Sequence, residues 1–227
     1  MPLAIPKHLA GLIPRGVGNK EITAATPFQE VAQEVLSAIA HIVHEMRWKI
    51  ERIAVDAPAS PPTTGTRASE TELTRLGLSS FRTPAAPAWA GIRENCTNHL
   101  RLGGRAANLP HANKIWMLFG FELFACLKSG LRAEVIEVYP FAIIRALLPV
   151  CAHKSTEQGY RDQLGAVAAR TGWEPLNLEA RLKMTVPGSR HDRLDAFMAA
   201  WVASLSPERR HAFGDAQRPD DAIWVPL

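Results

Sequence analysis

The 227-residue sequence has no apolar run long enough to cross a bilayer. Its most hydrophobic stretch, IWMLFGFELFACL at 115–127, falls short of the roughly 20 residues a spanning helix needs and carries Glu122. A buried core helix is expected there, and no membrane partner. Cysteine is scarce: Cys96, Cys126 and Cys151 have no metal-type spacing and an odd total. That argues against a thiolate zinc site or a disulfide framework and reads as reduced thiols of a cytoplasmic protein. The N-terminus, interrupted by Pro2, Pro6 and Pro14, lacks the long apolar core and small-residue cleavage pattern of a signal peptide. No Gly-rich loop could cradle phosphate, and no Ser or Cys sits in a strand–turn–helix elbow, which sets aside P-loop and nucleophile-elbow chemistry. Aspartate is missing from the first fifty residues.

What is present is an ordinary globular composition, 47% hydrophobic and 21% charged, which excludes wholesale disorder. The net charge of +4 is compatible with a polyanionic partner. Between Ala57 and Ile115 stand seven basic and three acidic residues, an excess equal to that of the whole chain. Hydrophobic periodicity predicts helices over 27–48, 68–76, 89–101, 113–128, 140–148, 156–171, 176–183 and 189–205. IERIAVDAP (50–58) and AEVIEVYP (133–140) read as strands, each stopped by proline, and the closing AIWVPL reads as an edge strand. Strands alternating with helices make an α/β fold. The expected organisation is an irregular segment over 1–20, then one domain over 21–227 with a long insertion at about 59–130. So long a connection is usually a lid or a binding loop.

Three segments carry carboxylates suited to chemistry. Asp56 ends a buried strand, at the edge where open α/β sheets bind ligands, although an Asp there could equally start a Pro-rich turn. Glu137 shares a strand face with Val135 and Tyr139; a carboxylate among apolar side chains needs a cation or hydrogen-bond donors to stay charged. An edge-strand Glu facing water is the bland alternative. In the 189–205 helix, Leu194, Phe197, Met198, Trp201, Val202 and Leu205 form one apolar face, with Asp195 at its rim and Asp192 one turn earlier. Ser189 and Asp192 also fit a capping box, which explains Asp192 but not Asp195. Together Asp56, Glu137, Asp192 and Asp195 supply the three or four carboxylates that hold one or two hard divalent ions in a nuclease.

The motifs IAVDAP (53–58), Arg67 with Glu70 and Leu73, FRTP (81–84), WMLFGFELF (116–124), IEVYP (136–140), HK (153–154), HDRLDAFMAAW (191–201) and AIWVP (222–226) run in this order along the chain. Together they make it resemble the family called domain of unknown function 429, over roughly residues 22–226. The resemblance implies a ribonuclease-H-like mixed sheet flanked by helices and a predicted nuclease activity. It places the family's acids on Asp56, Glu137, Asp192 and Asp195, and its phosphate-facing bases on Arg67 and Lys154. One departure stands out. Such folds normally begin with a strand carrying a Gly-x-Asp acid, and no Asp precedes Asp56. The first strand is then either missing, because the true start lies upstream, or degenerate, with residues 1–20 as a candidate replacement.

The leading expectation is a Mg²⁺- or Mn²⁺-dependent nuclease acting on DNA or RNA, with Phe81, Trp89 and Trp116 as candidate base-stacking rings that are more often packing residues. The alternative is a catalytically weak or inactive module of the same fold that binds nucleic acid or a protein partner. An HD-type phosphohydrolase, suggested by His191 and Asp192, would need further His ligands, for which His153 is the nearby candidate.

Overall fold

The computed structural model describes residues 28–78, 82–105, 108–186 and 188–227. The expected N-terminal segment, any replacement first strand within it, and Phe81 lie outside these residues. Among the described residues one sheet of four strands forms: β1 (Arg52–Val55), β2 (Glu134–Val138), β3 (Arg210–Gly214) and β4 (Ala222–Pro226), in the order β1-β2-β4-β3. β1, β2 and β4 run parallel, and β3 pairs antiparallel with β4. The closing AIWVP strand is therefore internal, and the edge belongs to β3. The sequence reading missed β3 because RHAFG has neither a β-branched run nor clear alternation.

Among the described residues eight α-helices accompany the strands: α1 (Phe28–Met46), α2 (Ala68–Arg75), α3 (Ala88–Arg101), α4 (Ala112–Gly130), α5 (Pro140–Leu147), α6 (Glu157–Thr171), α7 (Pro175–Thr185) and α8 (Arg190–Ser204). Helices cover both faces of the sheet, and strand alternation sorts the side chains between them. Ile136 and Val138 of β2, with Ala54 of β1, meet Ile143, Leu164, Leu194, Met198 and Val202 from α5, α6 and α8. Val135, Ile53 and Val55 point the other way, onto Phe124 and Leu127 of α4 and Leu36 and Ile39 of α1. The apolar 115–127 run is thus a core helix, and no described helix is long and apolar enough to cross a membrane.

Two glycines set close approaches that matter for the site. A Cβ on Gly120 would sit 2.7 Å from the Ala57 Cβ, so this glycine lets α4 press against the turn after β1. A Cβ on Gly159 would lie 2.3 Å from the His153 carbonyl oxygen, so the turn carrying Lys154 can fold onto the start of α6. Thr156 caps that helix by accepting from the Gly159 N–H at 3.0 Å.

Candidate functional site

The C-terminal ends of β1 and β2 open onto a cavity of about 680 Å³, lined among others by Asp56, Tyr139, Phe141, Arg145, Lys154 and Asp195. Asp56 follows Val55 and so alternates onto the face that α8 covers, the same side as Ala54. Asp195 reaches the cavity from that helix, one residue after the fully buried Leu194. Strand parity and helix phase thus bring the two carboxylates together from segments far apart in the chain.

Their electrostatics show the proximity. Burial pushes the Asp56 carboxyl up to about 7, the Asp195 charge and then Glu137 add to the rise, and the Lys154 ammonium opposes it. Protein mass surrounds the group, yet the residue is reached by solvent from the cavity side. Asp195 is likewise raised by burial, against an ion pair with Lys154 that favours its charged form. Lys154 Nζ donates to Asp195 Oδ2; the lysine side chain is 42% exposed and the aspartate 15%.

Glu137 stands on the opposite parity, with Val135, and its charge is met from that side. Arg67 donates from Nη1 to Oε1 at 2.8 Å and from Nη2 to Oε2 at 2.7 Å, and the Ala59 N–H adds a third bond at 2.9 Å. Burial raises the Glu137 pKa and Arg67 opposes it. Both oxygens act as acceptors in a two-pronged guanidinium contact, the arrangement of an ionised carboxylate. Arg67 is 3% exposed and also lies 3.9 Å from Glu70 and 3.7 Å from Asp221. The resemblance places Arg67 toward substrate phosphate; in the structure its fork is turned inward and taken by protein carboxylates. The R-x-x-E and FRTP motifs meet in the same layer, where Glu70 accepts from the Thr83 N–H and hydroxyl. Asp221 closes it by accepting from the Ala68 and Ser69 N–H groups at the start of α2.

Asp192 does not line the cavity. It completes a capping box at the start of α8: its N–H donates to Ser189 Oγ at 3.3 Å and its Oδ2 accepts from the Ser189 N–H at 3.2 Å. Among the described residues no group of three or more His, Cys, Asp or Glu side chains could hold a metal ion. The expected four-carboxylate set is therefore not assembled: Asp56, Glu137 and Asp195 line the cavity, but Glu137 is taken by Arg67, which leaves Asp56 and Asp195 as the remaining pair. An oxygen pair of this kind suits a hard ion such as Mg²⁺, which keeps several waters and takes one or two carboxylates plus substrate phosphates.

None of the seven basic residues between Ala57 and Ile115 lines the cavity; its basic side chains are Arg145, His153 and Lys154. Trp89 is buried edge-on against Phe121, with its N–H given to the Pro84 carbonyl, so it is a packing residue. Trp116 lines the cavity and gives its N–H to Asn113. Sequence reasoning missed Phe141 and Arg145. The signal was there: an arginine interrupting the apolar run of α5 four residues after a phenylalanine puts both on one helix face.

Fold and cavity define the class, a mixed α/β protein with a carboxylate–ammonium site at the C-terminal end of its parallel strands. Residues 17–220 match the family described as Protein of unknown function (DUF429), and the chain belongs to that family. No curated protein and no solved structure matches it.

Proposed function

We propose that the protein is a divalent-metal-dependent hydrolase of phosphodiester bonds in DNA or RNA, built on a ribonuclease-H-like fold. The observation that carries this reading is the pairing of Asp56 and Asp195 in one cavity, close enough for the Asp195 charge to oppose the ionisation of Asp56. Neighbouring carboxylates repel, and a hard cation between them relieves that cost. Asp56 and Asp195 would hold Mg²⁺ or Mn²⁺. A bound ion of this type supplies an acidified water and neutralises charge on the phosphate. Lys154, half-exposed beside Asp195, reaches from the carboxylate to a phosphate oxygen, and Arg145, which also lines the cavity, offers a second cationic donor. The Arg67–Glu137 layer keeps the cavity floor in place without touching substrate.

A second reading, a module that binds nucleic acid without cutting it, is favoured by one observation. Glu137 is committed to Arg67, which leaves two carboxylates for an ion where four were expected. Incubation with single-stranded, duplex and hybrid oligonucleotides in Mn²⁺, beside an Asp195→Asn variant, separates the two. Cleavage lost in the variant supports the hydrolase. Unchanged cleavage sinks the metal-site assignment, and binding without cleavage in either protein selects the module.

A further inference from the structure

The α5 side of the cavity has its own chemistry. Phe141 and Arg145 stand four residues apart on α5 and both line the cavity. Phe141 is 41% exposed, although its helix neighbours Ala142, Ile143 and Ile144 are buried. It is held edge-on by Tyr139, with ring centroids 6.0 Å apart, which leaves a ring face for a further partner. Arg145 makes no ion pair with a described residue. Besides its carboxylates the cavity therefore carries an aromatic ring with a guanidinium one turn away on α5.

A cavity of about 680 Å³ falls within the roughly 300–1,000 Å³ of pockets that enclose one small molecule. A duplex, whose bases are stacked inside, presents no flat face to such a recess; an unpaired nucleotide does. Both the ring and the cation are matched only by a ligand having a π-face and an anionic group together. We propose that this wall is a nucleotide subsite. It takes one unpaired nucleotide, the base stacking on Phe141 and a phosphate oxygen accepting from Arg145, so the site selects single strands and frayed ends over duplex. This deepens the hydrolase reading, on which it rests for its choice of substrate.

The test is equilibrium binding by the full chain in EDTA, where no hydrolysis can occur. The probes are adenosine 5′-monophosphate, its deoxy form, and a fluorescent single-stranded oligonucleotide competed by unlabelled single strand or blunt duplex. The mononucleotides are expected to bind, and single strand to compete at least tenfold better than duplex. Phe141→Ala should weaken binding by about 5- to 100-fold, the loss of one stacked base. Arg145→Gln should weaken it and flatten its salt dependence, with thermal melting confirming that both variants fold. Equal ribo and deoxy affinities locate recognition in base and phosphate; a preference for one adds a sugar contact to the same subsite. Competition by duplex equal to single strand, or unchanged binding in both variants, overturns the proposal. Binding that behaves as expected without any cleavage in Mn²⁺ leaves the subsite standing and removes the hydrolase.

Discussion

Arg67 holds Glu137 by both carboxylate oxygens at 2.7–2.8 Å, on the sheet face opposite Asp56. Each ion is desolvated, so losing one partner strands the other. Arg67→Met is expected to cost about 3–5 kcal/mol in urea unfolding, whereas the double change with Glu137→Leu recovers most of that. A loss near zero for the single variant would put the guanidinium in water instead.

Asp56 gives the protein a distinctive pH dependence. Its folded pKa of about 7 lies above the ordinary 3.8, so the folded state binds this proton more tightly than the unfolded chain does. Its contribution is favourable at low pH, is lost as pH rises between those values, and becomes a full cost above about 7. Asp56→Asn should melt higher than the parent at about pH 8, the gap closing toward about pH 4.

The two acids of HDRLDA separate by role. Ser189→Ala should lower stability by about 1 kcal/mol through the lost cap. Asp192→Asn, which keeps an oxygen acceptor at the helix start, should leave cleavage nearly unchanged. Asp195→Asn should reduce cleavage by more than the roughly 10- to 100-fold that loss of an outer partner of a metal costs. Urea unfolding of Ser189→Ala and single-turnover rates of the two aspartate variants check this directly.

Lys154 neutralises Asp195 in the structure and would compete there with an added cation. Lys154→Met should therefore bind Mn²⁺ more tightly while binding oligonucleotide more weakly. The slope of log affinity against log salt should fall by about one, as for loss of one phosphate contact.

The helical part of the fold was largely legible, because apolar spacing and proline or glycine stops mark helices locally. The strands at 52–55 and 134–138 were legible for the same reason. A buried Glu137 requiring a partner could be foreseen from alternation; that the partner is Arg67 could not, since it lies 70 residues earlier and is brought in by tertiary packing. Asp192 as a cap followed from Ser189 three residues before it. The edge position of β3, and with it the interior position of β4, depends on pairing that local pattern does not encode. The spacing of Phe141 and Arg145 marks one helix face, but that this face lines a cavity depends on how α5 packs, which local pattern does not encode.

Titration with Mn²⁺ followed by electron paramagnetic resonance tests the central claim, that Asp56 and Asp195 together hold one hard divalent ion. The signal of free Mn²⁺ should fall with a stoichiometry of one in the parent and in Asp192→Asn. It should persist in Asp56→Asn and in Asp195→Asn. Equal Mn²⁺ binding by all four proteins, or none by the parent, would contradict it.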